Sequence, residues 1–352
     1  MDTGLIHPLQ PDGDEAFLGG KGLRLGELIG MGCNVPKGFT VKAVALDQLI
    51  EGTTLGDQIN TVLDGLDAAD DAACNAAAAQ ISAAICGATL PAAMRAAFTQ
   101  AYDQLCYDTR TLSLQVAVRS SAVGEDAKDA SFAGQFETFL GVAGHDALIT
   151  HIKKVWASLY NARAIGYRAR NDLGRHGRMA VVVLELVNAR AAGVAFSADP
   201  LTGKRDRIVI EGNWGFGESV VQGVVTPDRA IVDKTDLRVL DVAVTEKVIV
   251  SVFDAAKGLV VEVPTPDLFR HGRVLNDEEI KAIAAAVRSV EENVAGPIDV
   301  EWVIPAHRAV GDPPVLVQVR PITTLGQEPA PEPAPAWNPA AYAGKYAFGV
   351  KG

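Results

Sequence analysis

One stretch, residues 116–142, constrains the chain more than any other. Val116, Ala117 and Val118 form a short apolar run that ends on Arg119, Ser120 and Ser121. A turn of small and acidic residues follows, with Glu125 and Asp126. Then comes Ser131-Phe132-Ala133-Gly134-Gln135, leading into a second apolar piece that ends at Val142. A buried strand that delivers an arginine to its end supplies a fixed cation. The loop after it offers hydroxyl, amide and backbone N–H donors with little bulk. Together they suit a polyphosphate held by a guanidinium fork on one side and backbone donors on the other. Two strands joined by a turn, with Arg119 on the surface, account for the same residues and stay open at this point.

The chain has 352 residues, enough for two packed units. A formal charge of −11 argues against a nucleic-acid partner, which needs a basic surface. A nucleotide remains compatible, because local cations and a metal override the global sign. Cys33, Cys74, Cys86 and Cys106 are widely spaced and form no CxxC pair, so we expect reduced thiols in a cytoplasmic protein. The N-terminus shows no basic segment followed by an apolar core, and no run approaches the roughly 20 apolar residues of a membrane span.

In chain order, residues 1–18 read as an irregular lead-in. Gly19-Gly20-Lys21-Gly22 then opens a short helix through Leu25, Leu28 and Met31. A lysine at a helix start is an anion site in outline, although the P-loop spacing is absent and a plain turn also fits. Residues 44–105 predict a helical scaffold, including helices over Ala72–Ile85 and Pro91–Leu105. The spacing of Ile152, Val155, Trp156, Leu159, Tyr160, Ala164 and Tyr167 predicts one helix over Ala147–Arg170. Its aromatics read as core, and Arg163, Arg168 and Arg170 as a solvated or docking face. Met179–Val187 is a strand buried on both faces, interrupted only by Glu185. Gly215-Phe216-Gly217-Glu218 looks like half of a dinucleotide fingerprint, but Val220 stands at the last glycine position, which excludes that fold. Strands are expected over Ile208–Gly212, Leu240–Phe253 and Gly258–Val263. Asn276 with Glu279 predicts a capped helix running to about Val294.

Two alternating segments close the informative part, Pro297–Ile304 and Pro314–Thr323. Asp299 and Glu301 share a strand face, as do Gln318 and Arg320. If the strands pair antiparallel, one face carries carboxylates beside an amide and a guanidinium. Those are the oxygen ligands for Mg²⁺ and the cation for phosphate that a metal–nucleotide site needs, and a solvated sheet face is the alternative. From Glu328 a proline-rich linker leads to a short aromatic tail.

Taken in order, Gly19–Gly22, Val118–Ala122, Glu125-Asp126, Ala130–Thr138, Val155–Tyr160, Gly193–Ser197, Asp199-Pro200, Gly217-Glu218, Thr226–Asp228, Asp299–Trp302 and Gln318–Thr323 resemble one family. It is the N-terminal ATP-binding domain of phosphoenolpyruvate synthase and pyruvate phosphate dikinase, shared by rifampin phosphotransferase and phenylphosphate synthase. The resemblance covers about residues 15–323. It implies an α+β, ATP-grasp fold in which two subdomains clamp ATP: residues 1–190 with a helical insertion, residues 191–325, and a linker and tail over 326–352.

The resemblance further implies a dikinase step, in which ATP phosphorylates a histidine on a separate mobile domain that then serves an acceptor. Carried over by position, Lys21, Arg119 and Arg320 would be catalytic and hold phosphates, with Gly134, Gln135 and Thr138. Glu185 and Val187 would meet the nucleotide, and Glu301 and Gln318 would bind Mg²⁺. Leu184 stands where the family often has a glutamine, which loosens the expectation for adenine selectivity. No phosphohistidine motif is present: none of His7, His145, His151, His176, His271 and His307 lies in a Thr-Ser-His context. We therefore expect an ATP-binding subunit of a split phosphotransferase whose partner protein carries the histidine. The acceptor would be a phenol- or cresol-type alcohol or pyruvate. A truncated domain of a full-length synthase and a non-catalytic ATP-sensing module are the alternatives.

Overall fold

The computed structural model describes residues 4–124, 136–170, 176–221 and 223–322. The first part of the chain runs β1 (Ile6–Pro8), α1 (Glu15–Gly30), β2 (Gly38–Val41), α2 (Val44–Glu51), α3 (Leu55–Leu63), α4 (Asp71–Gly87), α5 (Ala92–Asp108), β3 (Val116–Ala122), β4 (Thr138–Val142), α6 (His145–Ser158), α7 (Ala162–Arg170) and β5 (Met179–Glu185). The second runs β6 (Ala189–Phe196), β7 (Arg207–Trp214), α8 (Glu218–Val221), β8 (Asp228–Asp233), β9 (Val239–Ala243), β10 (Ile249–Asp254), β11 (Leu259–Pro264), α9 (Asp267–Arg270), α10 (Asp277–Asn293), β12 (Ile298–Pro305) and β13 (Val315–Pro321).

Two antiparallel sheets result. One has the order β1-β2-β5-β3-β4 and the other β13-β12-β6-β7-β8-β9, with β10–β11 as a separate hairpin. The architecture is the mixed α+β arrangement of an ATP-grasp fold.

The apolar run of β5 explains how the two halves pack. A strand's side chains alternate between faces. Val181 and Val183 enter a core formed with helices α2–α6, where Trp156 and Tyr160 are fully buried. Val182 and Leu184 enter a second core with α1, α10 and the six-stranded sheet, around Trp302. Both faces of the first sheet are thus covered, and one of them is covered by the second half of the chain. Helix α10 begins with the expected capping box: Asn276 accepts from the Glu279 N–H and Glu279 accepts from the Asn276 N–H.

Four expectations need correction. The lead-in is not irregular, since β1 and the first turn of α1 lie in it. The helix over Ala147–Arg170 is two helices. Asn161 caps the second by accepting from the Ala164 N–H, and Arg168 turns inward to donate to the Leu159 carbonyl at 2.8 Å. Arg168 is therefore buried over the Tyr160 ring rather than part of a solvated basic face. The strand over Leu240–Phe253 is broken between β9 and β10, where the Lys247 side chain runs inside.

The four cysteines are free thiols. Among the described residues, no single helix is long and apolar enough to cross a membrane.

Candidate functional site

Strand β3 places the first cation. Ala117, Arg119 and Ser121 share the face that meets α1 and the second sheet, while Val116 and Val118 fill the helical core. From that face Arg119 crosses to the β12–β13 hairpin. Its Nη2 donates to Glu301 Oε2 and to Gln318 Oε1, both at 2.8 Å, and its Nη1 donates to the Val317 carbonyl at 2.7 Å. Its Nε is buried with no hydrogen-bond partner.

The hairpin pairs antiparallel with Glu301 opposite Gln318 and Asp299 opposite Arg320. Arg320 Nε donates to Asp299 Oδ2 at 2.7 Å, which fixes that guanidinium against a nearly buried carboxylate. A two-residue offset on paired strands thus puts four polar side chains in one square.

Lys21 arrives by a break in α1. Gly19 has φ 66° and ψ 170°, so the helix stops and restarts just ahead of Lys21. A side chain at Gly19 would place Cβ 2.0 Å from the Ser121 carbonyl oxygen, so only glycine fits there. Thr138 opens β4 directly opposite Arg119. Glu185 and Val187 lie at the crossing from the first sheet to the second, where the Glu185 N–H donates to the Lys37 carbonyl.

Lys21, Arg119, Thr138, Glu185, Val187, Glu301, Gln318 and Arg320 all line one cavity of about 470 Å³ between the sheets. Leu184 lines it as well. Gly134 and Gln135 lie outside the described residues.

The cavity also holds groups that sequence reasoning passed over. Glu218, at the start of α8, faces it together with Phe216 and Gly217. Burial pushes the Glu218 carboxyl above its ordinary range; the Arg119 charge pulls it back, and Glu262 pushes it further up. The available signal was a glutamate following a glycine-spaced turn at a strand end. Ser121, also passed over, does not line the cavity: it is fully buried where β3 meets α1 and bonds to both ends of the break in that helix.

Residues 15–336 match the family model described as pyruvate phosphate dikinase, AMP/ATP-binding domain. The chain belongs to that family. It is 40% identical over 317 residues to a probable phosphoenolpyruvate synthase of Methanothermobacter thermautotrophicus, covering 89% of this chain and 45% of that protein. A probable phosphoenolpyruvate synthase of Methanocaldococcus jannaschii is 39% identical over 313 residues, which cover 89% of this chain and 26% of the relative. The phosphoenolpyruvate synthase of Pyrococcus furiosus is 33% identical over 361 residues, covering 91% and 44%. The pyruvate phosphate dikinase-type domain thus accounts for most of this chain, and the chain spans less than half the length of these relatives.

Proposed function

We propose that the chain binds Mg–ATP in the cavity between its sheets and serves as the nucleotide half of a dikinase-type phosphotransferase. Phosphate passes from ATP to a histidine on a separate partner protein, which then phosphorylates a small acceptor. One observation carries the reading: cations from the first half of the chain, Lys21 on α1 and Arg119 on β3, share a cavity with Glu301, Gln318 and Arg320 from the second sheet. Phosphoryl transfer needs in-line positioning and neutralised charge more than covalent chemistry from the protein. In this reading Lys21, Arg119 and Arg320 neutralise and orient the phosphates, helped by Thr138 and the Gly134–Gln135 segment before it. Glu185 and Val187, at the crossing between sheets, meet the base and ribose.

Glu301 and Gln318 fit a magnesium ion. They are two oxygen donors side by side, and Mg²⁺ commonly takes one or two protein oxygens and completes its shell with water and phosphate. A carboxylate offers about four lone-pair sites, so the contact with Arg119 does not exhaust Glu301. When bound, the ion would withdraw charge from the phosphate oxygens.

The reading divides the chain near residue 190, with 1–190 and 191–325 as the two clamping units and 326–352 as linker and tail. The strands of the first sheet end at Glu185 and those of the second begin at Ala189, which supports that division. It also puts the protein in the cytoplasm, where free thiols persist.

The test is a mixing experiment with ATP labelled at the β-phosphate and a partner polypeptide carrying the histidine. Label on a partner histidine, lost when Glu301→Ala or Arg320→Ala replaces the native chain, is expected. Tight Mg–ATP binding with no label transferred to any histidine protein would leave only the ATP-sensing alternative. A second reading, that the chain is the ATP-binding part of a phosphoenolpyruvate synthase and pyruvate the final acceptor, is favoured by the names of the relatives. Pyruvate-dependent discharge of the labelled histidine separates it from a phenol- or cresol-type acceptor.

A further inference from the structure

Lys21 and Arg119 are 98 residues apart in the chain and sit on different elements, yet both reach one cavity. Something must hold the broken turn of α1 in register with β3. Ser121 lies two positions beyond Arg119 on the same strand face and is fully buried. Its hydroxyl donates to the Leu18 carbonyl at 2.7 Å and accepts from the Gly22 N–H at 3.0 Å. It uses its one proton and a lone pair on the two sides of the break, just before Gly19 and just after Lys21. The Ser121 carbonyl oxygen, meanwhile, occupies the space a Cβ on Gly19 would need, so no side chain fits there. The Gly124 N–H adds a further tie by donating to Glu15 Oε1 at 3.2 Å. Thr40, whose hydroxyl is buried without a partner, stands next to Gly22 and shows that the turn has little room to shift.

We propose that Ser121 is a positioning residue for phosphate: it sets the placement of Lys21 relative to Arg119, and so the spacing at which the two cations meet a triphosphate. The proposal rests on the nucleotide reading above. Ser121 touches no ligand; it acts through Lys21. Without its hydroxyl, the Gly22 N–H and the Leu18 carbonyl lose their bonds to β3, and the turn bearing Lys21 is free to drift. Cation placement matters at the scale of an ångström when charge is being neutralised.

The test compares Mg–ATP and adenosine binding by the full chain carrying Ser121→Ala. Affinity for Mg–ATP is expected to fall about tenfold, with adenosine affinity unchanged. A merely structural loss would lower both equally. Ser121→Thr, which keeps the hydroxyl, should restore the preference for ATP, and Ser121→Cys serves if the alanine chain does not fold. In a Lys21→Ala background, Ser121→Ala should add nothing further. Equal ATP affinity for native and Ser121→Ala chains, or equal losses for ATP and adenosine, overturns the proposal. If the native chain binds no Mg–ATP, or Lys21→Ala and Arg119→Ala leave that binding untouched, the nucleotide reading itself fails.

Discussion

Among the described residues, two cation–carboxylate pairs, Arg119–Glu301 and Lys247–Asp228, are built differently. Arg119 and Glu301 meet across the two sheets at the edge of the cavity, with side chains about one-eighth exposed. Arg119 keeps an Nε with no partner. Lys247 and Asp228 meet within the second half, away from the cavity, at 2.6 Å. There, Asp228 also accepts from the Thr245 and Val274 N–H groups, and Lys247 also donates to the Thr245 carbonyl. The lysine side chain is fully buried. The second pair is saturated with protein partners and joins three distant segments. The first lies where a ligand can share its donors. Charge buried and satisfied serves the fold, whereas charge held at a cavity wall is suited to exchange.

Breaking the saturated pair should have the largest effect. Asp228→Ala leaves an ammonium and two N–H groups without their carboxylate. The expected cost is about 3–5 kcal/mol, because an uncompensated buried charge is expensive. Removing both charges with Asp228→Asn and Lys247→Met together should recover most of that loss. Denaturant unfolding measures both. A loss below about 1 kcal/mol for Asp228→Ala, typical of exposed pairs, would erase the contrast.

Arg119→Ala should behave in the opposite way. Its effect on unfolding should be smaller than that of Asp228→Ala, because Glu301 and Gln318 line a cavity that water can enter, while Mg–ATP affinity or phosphoryl transfer drops about a hundredfold or more. Arg119→Lys should rescue poorly, since three acceptors are reached by one planar fork that an ammonium cannot reproduce. Calorimetric titration with ATP beside thermal melting of the same samples separates the two quantities. A large melting shift with intact ATP binding would turn Arg119 into a second staple.

The β10–β11 hairpin connects these regions, because it starts just after Lys247 and leans on the first sheet. Phe253 covers Gly141 of β4, and a Cβ there would sit 2.6 Å from the Phe253 ring. Gly141 also has φ 84°. Gly141→Ala should therefore cost about 1–2 kcal/mol from backbone strain alone, plus the displacement of the ring. In a Phe253→Ala background the displacement of the ring should vanish, leaving the backbone strain and the 3.2 Å approach to the Gly258 carbonyl oxygen. Equal costs in the two backgrounds, measured by unfolding, would show that the hairpin does not bear on the first sheet.

What was legible beforehand follows the same division. Alternation along a strand reports which side chains share a face, so the square of Asp299, Glu301, Gln318 and Arg320 could be drawn before its register was known. The apolar run predicts Arg119 at the end of a buried strand, but β3 continues to Ala122 and holds it at mid-strand, because the small residues Ser120, Ser121 and Ala122 are buried and paired as well. The break in α1 was hidden because glycines before a helix read as an ordinary turn. It takes the Ser121 carbonyl, about a hundred residues on, to show why Gly19 admits no side chain. The network of Asp228, Lys247 and Val274 has no period at all, since the start of one strand and two connecting segments supply it. The split near Asn161 was masked by apolar spacing that continues through the cap. Local patterns carry elements and faces; contacts set by chain crossings do not repeat and leave no pattern.

Glu218 gives the smallest and sharpest test, because it lies between the two kinds of charge. Burial raises its pKa above the ordinary 4.5, and Arg119 only partly offsets that. A carboxyl raised in the folded state lends stability that is fully present below its unfolded pKa and is lost as pH rises through the folded value. Near neutral pH the ionised Glu218 thus weighs against folding. Glu218→Gln should melt at a slightly higher temperature than the native chain at about pH 8, and the gap should close at about pH 4, where both side chains are neutral. Melting curves at the two pH values decide it. A variant less stable at the higher pH would mean that attraction to Arg119 outweighs the loss of solvation. Glu218 would then belong with Glu301 as a second anchor of that guanidinium, and the cavity pair would be closer in kind to the saturated one.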